Sequence, residues 1–330
     1  LARENDLSAV TAQPIQAGAA IIGPTVKGPV GIPTLVTSYS EYTQAFGTTF
    51  MSASLQQEFL TSNSAYNYFN NGGTTLLVTR VVSGSFTSAT STNISGSALS
   101  TKTTSFTLKT FGEGAIMNSS GSEVNGALVS GSNDNLRWEI PQFSTSSGTF
   151  TLLVRRGSDT TDQKTVLESF TNLSLDPTAP NYISKVIGDS YKTVNTSDTT
   201  PYVQDNGTYP NRSRYVYISA VNAKTPQYFD NNGDFKGEFT SSLPQIASGS
   251  FESATGQVYF ETAGAAFNEQ IVNSENIQGL NNTNYTTSID LLSNQDEYIF
   301  NSITVPGIMI ETAPSTTTKL INMVQERGDA

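Results

Sequence analysis

Residues 19–47, AAIIGPTVKGPVGIPTLVTSYSEYTQAFG, decide the fold class. The first five, Ala19 to Gly23, are small or apolar and read as a short buried strand. Pro24, Gly28, Pro29, Gly31 and Pro33 then punctuate a turn-rich crossing. Leu35 and Val36 give a second short apolar stretch. Ser38 and Glu41 have capping-box spacing, which predicts a short helix over YSEYTQAF, ended by Gly47 at its C′ position.

Outward from there, Leu55, Phe59, Tyr66 and Phe69 fall on one stripe of a 3.6-residue period, so a helix is expected from Ser52. Ser54 and Gln57 would cap it, and Asn70-Asn71-Gly72-Gly73 would stop it. Residues 74–82, TTLLVTRVV, follow as a strand that contains Arg80. Strand, helix and strand on short connections imply a buried, at least partly parallel sheet.

From Ser83 the texture changes. SGSFTSATSTNISGSALSTKTT is a Ser/Thr/Gly stretch, read as too polar to pack and as a boundary. Short strands are expected at 105–109, 136–140, 149–155 and 166–170, with a short helix at 181–187 after Asp176-Pro177. A second β-rich segment runs from Tyr202 to about Phe260, clearest at 215–219 and 257–260. The α/β texture returns near Tyr285, and 315–325 reads as a helix with Leu320, Ile321 and Val324 on one face. The expected fold class is α+β: a discontinuous α/β core interrupted by two β-rich insertions. The expected division is an arm over 1–18, core over 19–83, β modules over 84–190 and 191–284, and core again over 285–330. The second module is expected to be dispensable for assembly. Leu1 in place of Met, and an end just past a helix, suggest a longer polypeptide cut at both ends.

Composition narrows the chemistry. The net charge of −11 argues against a nucleic-acid groove, which needs clustered Lys and Arg. There is no Cys and no His, so disulfides, imidazole or thiolate metal sites and Ser-His-Asp or Cys-His catalysis are excluded. No apolar run reaches the length of a membrane span. No catalytic residue, cofactor site or metal site is expected.

Several constellations have bland readings. Asp230-Asn231-Asn232-Gly233-Asp234 fails the calcium-loop pattern, with Phe235 at its sixth position and Ser241 at its twelfth, and reads as a solvated turn. Asp159 and Asp162 with Thr160 and Thr161, between Arg156 and Lys164, read as a hairpin tip. A glycosidase pair among Glu139, Glu252 and Glu261 has no spacing to support it. Gly112-Glu113-Gly114 reads as a lone turn rather than a phosphate loop. Sequons at Asn93, Asn172 and Asn206 follow from composition, and Arg327-Gly328-Asp329 reads as coincidence.

The order apolar strand, GPxxKGPxxxPxxVxSYxEYxxxFG, helix, NNGG, strand and Arg80 closely resembles the N-terminal core of contractile tail sheath proteins. FGEGAIMNSS (111–120) and LSLDPTAPNYISKVIGD (173–189) resemble paired signatures of the β-rich domain in sheath proteins of T4-like phages. RYVYISAVNA (214–223) is family-like, and DEYIFNSITVPGIMI (296–310) resembles the return of the chain into the core. The resemblance implies a structural subunit of a virion tail, assembled in the bacterial cytoplasm. It would stack as hexameric rings around a tail tube protein and contract to drive the tube through the host envelope. Implied partners are other sheath subunits, the tube, and the baseplate and tail terminator proteins. An N-terminal arm bearing Arg3, Glu4 and Asp6 would join neighbours. The reading from a different class is a carbohydrate-binding adhesin or depolymerase.

Overall fold

The computed structural model describes residues 13–52, 55–96, 104–114, 123–124, 127–128, 136–157, 159–160, 162–198, 200–256, 278 and 280–330. Helix and strand are mixed, as an α+β class requires. The described residues open with β1 (Ile15–Ala17), β2 (Ala19–Gly23), β3 (Thr34–Val36), α1 (Tyr39–Phe46), β4 (Thr49–Ser52), β5 (Leu55–Glu58), α2 (Leu60–Asn70) and β6 (Leu76–Arg80).

Strand β2 lies between β6 and a later strand, and both neighbours run parallel to it. A strand buried on both faces must be apolar throughout. Accordingly, all five residues of β2 and all five of β6 are buried. Ala19 and Ile21 face one way, into a cluster with Tyr42, Phe46 and Ala65 of α1 and α2. Ala20 and Ile22 face the other, into a cluster with Tyr285, Ile289, Leu292 and Met323 from the far end of the sequence. This alternation is the two-residue pleat. It gives a sheet covered on both faces, assembled from both ends of the described chain.

Helix α1 matches its expected span. Its Ser38 hydroxyl accepts the Glu41 amide at 3.2 Å. The Glu41 carboxylate reaches back one residue further than a capping box would, to the Thr37 amide and hydroxyl, each at 2.9 Å. The second helix departs from expectation. Strands β4 and β5 pair antiparallel, with Thr49 facing Glu58 and Ser52 facing Leu55, so the helix does not begin at Ser52; Ser54 lies outside the described residues. The helix starts at Leu60, whose amide donates to Gln278 Oε1 at 2.9 Å. The cap comes from a distant residue, which local pattern cannot show. Thr61, Ser62 and Ala65 face inward; of the expected stripe Phe59 is buried just before the helix and Phe69 packs on the core, while Tyr66 is 49% exposed and Leu55 belongs to β5.

The middle of the chain supplies β7 (Ser88–Ser91), β8 (Ile94–Ser95), β9 (Thr104–Glu113), β10 (Glu123–Val124), β11 (Ala127–Leu128), β12 (Leu136–Ile140), β13 (Phe143–Ser144), β14 (Thr149–Arg156) and β15 (Val166–Ser174). Then come α3 (Ile183–Ile187), β16 (Tyr191–Asn195), β17 (Tyr202–Asn206), β18 (Val216–Val221), α4 (Gly237–Thr240) and β19 (Ala247–Glu252). Nine of these strands make one antiparallel sheet, ordered β13-β14-β12-β19-β7-β9-β18, with β15 on β14 and β8 on β9. Two expectations change here. The described part of the Ser/Thr-rich stretch after 83, up to Gly96, does pack, because Ala89 and Ile94 point inward and the Ser91 hydroxyl accepts the Leu108 amide. The division at 190/191 separates no sheets, because β19 lies between β12 and β7 and β18 pairs with β9. Deleting 191–284 would therefore remove a central strand. The expected strand at 257–260 lies outside the described residues.

This sheet curls around one core. Phe106 on β9 and Phe150 on β14 stack with ring centroids 5.5 Å apart. Four strand steps separate β9 from β14, about 19 Å in a flat sheet. Ile183 and Ile187 of α3 plug the same core beside Trp138.

The chain ends with α5 (Thr286–Leu292), β20 (Tyr298–Phe300), β21 (Ile303–Thr304) and α6 (Pro314–Arg327). Ile15 faces Tyr298 and Ala20 faces Ile303, five positions on along both segments, so the short β1·β20 ladder and the β2·β21 ladder are both parallel and share one register. Residues 15–17 are thus paired within the chain rather than extended as a free arm. On α6, Met323, Thr316 and Arg327 are the buried positions, whereas Ile321 is 47% exposed.

Candidate functional site

Arg80 is the last residue of β6, at the carboxyl end of the parallel strands, and is buried. A buried guanidinium must find acceptors. Its Nη1 donates to the Gly28 carbonyl at 2.6 Å and to the Glu113 carbonyl at 2.9 Å. The Gly28 carbonyl also accepts the Glu113 amide at 3.2 Å, and the Arg80 carbonyl accepts the Gly31 amide at 2.9 Å. Glu113 turns its carboxylate to the Val30 amide, which donates to Oε2 at 2.9 Å. The loop 28–31 is thus laced to the last residue of β6 and the last residue of β9. Gly28 has φ +108°, and a Cβ there would stand 2.8 Å from the Phe46 ring, so a larger residue is barred twice over.

The electrostatics follow from burial. Desolvation lowers the Arg80 pKa to about 10, against the pull of Glu113. Burial also raises Glu113 above the usual carboxylate range, offset in part by the Val30 amide and Arg80. Lys27 is pushed down to about 7, by burial first and then by Arg156. The Phe86 ring lies 5.1 Å from the Arg80 guanidinium carbon. A second tie runs nearby: Gln44 on α1 donates to the Tyr215 hydroxyl at 2.8 Å and accepts from Arg214 at 3.3 Å. Chemically, this arrangement fixes the α/β layers to the curled sheet.

Strand edges are the other candidate surface. Among the described residues, the parallel sheet ends at β3 on one side and β21 on the other. Unpaired edge amides and carbonyls can accept a strand from another chain.

The residues singled out in the sequence fall as follows. Arg3, Glu4 and Asp6 lie outside the described residues. The Asp230 carboxylate is taken by the Asn232 amide at 2.8 Å and the Asp234 amide at 3.0 Å, which makes the segment a turn between Phe229 and Phe235. Glu139 is held by Arg155 at 2.8 Å and Lys164 at 2.6 Å, and Arg155 also grips Asp159 with two bonds of 2.7 and 2.8 Å. Glu139 faces Ser248 across the β12–β19 ladder. Glu252 is four residues further along, roughly 13 Å, beyond a glycosidase separation. Glu261 lies outside the described residues. Arg327 is buried, donates to the Leu292 and Tyr298 carbonyls at 2.7 and 2.8 Å, and lies over Phe300, so it is a structural pin. Among the described residues no group of three or more Asp and Glu could hold a metal ion, and no helix is long and apolar enough to cross a membrane.

Sequence reasoning named Arg80 without a role and passed over Glu113 as part of a turn. The available signal was an arginine closing an otherwise apolar strand, LLVTR, which demands buried acceptors.

No family model and no curated protein matches the sequence. The solved structures that match it include two sheath tail proteins. A sheath tail protein from Desulfitobacterium hafniense shares 12% identity over 100% of this chain and 51% of its own, with a TM-score of 0.41. A sheath tail protein from Listeria innocua shares 12% identity over 96% of this chain and 47% of its own, with a TM-score of 0.45. The chain spans about half the length of each.

Proposed function

We propose that this chain is part of a structural subunit of a contractile tail sheath, forming stacked hexameric rings around an inner tube. The observation that carries the reading is the parallel pairing of β2 with β21, continued in the same register by β1 with β20. It joins, in one sheet, the two stretches whose residues resemble the sheath core, 19–47 and 296–310. In this reading 19–83 and 285–330 form a discontinuous core, and the residues between them are an insertion whose sheet draws on both expected β modules. The Arg80–Glu113 joint makes core and insertion move together.

The partners are other sheath subunits, the tail tube protein, and the baseplate and tail terminator proteins. The N-terminal arm, with Arg3, Glu4 and Asp6, joins neighbouring subunits by strand addition. Contraction draws its free energy from the difference between two sets of intersubunit contacts, so subunits rotate as nearly rigid bodies and no nucleotide is hydrolysed. Sedimentation velocity on the product of the complete reading frame tests this. Large, concentration-dependent polymers are expected, and a single species of monomer mass across protein and salt concentrations counts against the reading.

A further inference from the structure

Strands β16 and β17 pair only with each other and belong to neither large sheet. The root of this hairpin is fixed to the insertion. Asp189 Oδ1 accepts the Thr208 and Tyr209 amides at 2.8 and 2.7 Å, Ser190 donates to the Tyr209 carbonyl at 2.7 Å, and Tyr191 stacks on Tyr217 of β18. Its body leans the other way. A Val194 methyl lies 3.2 Å from where a Cβ on Gly31 would stand. Val203 packs against the cluster that holds Ala17, Tyr298 and Phe300, the two strands of the β1·β20 ribbon. Burial raises the Tyr298 hydroxyl pKa, and the carboxylates of Glu297 and Asp205 add to the rise, so Asp205 on the hairpin lies near Tyr298.

The ribbon is three residue pairs long. So short a pairing holds little stability of its own and opens first unless covered. We propose that the hairpin 191–206 is a strap, carried by the insertion and seated on the α/β core, that controls how readily the N-terminal strand β1 leaves β20. Because the strap holds the core through Val194 and Val203 rather than through a shared ladder, it can lift while its root stays fixed.

Hydrogen exchange read by mass spectrometry tests this on the whole chain. In the double variant Val194→Ser, Val203→Ser, amides of 15–17 and 298–300 should exchange on the order of tenfold faster, with β6 and β14 unchanged. Val203→Ile alone should retain the protection. An unchanged ribbon in the double variant overturns the strap. So does equal acceleration at β6, β14 and the ribbon, because the hairpin would then support the whole fold and not one strand.

Discussion

Arg80 and Glu113 meet backbone to side chain: the Arg80 guanidinium donates to the Glu113 carbonyl at 2.9 Å, while the Glu113 carboxylate accepts the Val30 amide at 2.9 Å. Each therefore closes the loop 28–31 from a different sheet. A direct carboxylate–guanidinium bridge would fix two side chains to each other. This crossed arrangement fixes two strands to one loop.

Arg80→Met should destabilise the fold by about 3–5 kcal/mol, because it leaves Glu113 buried without its cation and two carbonyls short of a donor. Glu113→Gln retains an oxygen for the Val30 amide and should cost less than half as much. Urea unfolding followed by the fluorescence of Trp138, the only tryptophan in the chain, measures both. Equal losses would mean that the carboxylate charge matters as much as the guanidinium.

Lys27 predicts a pH dependence with a definite sign. Its folded pKa of about 7 lies below the ordinary 10.5. Between those values the unfolded chain holds a proton that the folded chain lacks, so stability rises with pH. Below about pH 7 both states are protonated and the burial penalty is complete. Lys27→Met removes this term, so the variant's advantage over the parent should be largest near pH 7. It should shrink by on the order of 3 kcal/mol toward pH 9.5. Unfolding curves at three pH values decide it, and a constant difference contradicts the assignment.

The place of β19 inside the large sheet makes Gly249 sensitive. A Cβ there would run into Thr92 Oγ1 and stand 2.6 Å from the Trp138 ring. Gly249→Ala should cost about 1–3 kcal/mol and shift the Trp138 emission. Gly237→Ala, which meets no atom within 4 Å, should stay within about 0.5 kcal/mol of the parent. Similar effects at both positions would argue against the strand order.

What the sequence showed and hid follows from where the determinants lie. Strand β2 and helix α1 were legible because apolar run, cap and terminating glycine are all local. The strand at 136–140 was legible from LRWEI, with its β-forming apolar residues. The strands SATS and ASGSFE were not, since each offers few apolar side chains and draws its stability from ladder partners far away. The start of α2 was hidden for a similar reason: its cap is Gln278, and the residues before it are claimed by the β4·β5 pairing. Arg80 and Glu113 each looked ordinary alone, because their meaning lies in a contact between residues 33 positions apart.

If the arm joins neighbours, charge reversal at Arg3, Glu4 and Asp6 together should raise the critical concentration for polymerisation of the complete product. Monomer stability should change by no more than about 0.5 kcal/mol, because a contact made only between subunits is absent from the monomer. Light scattering against protein concentration reads the first quantity and urea unfolding the second. An unchanged critical concentration would remove these residues from the assembly contact.

The most direct measurement is negative-stain electron microscopy of the product of the complete reading frame, purified alone. The sheath account predicts long, transversely striated tubes built from six-fold rings. Compact particles or isolated trimers at every concentration would contradict it and favour an adhesin.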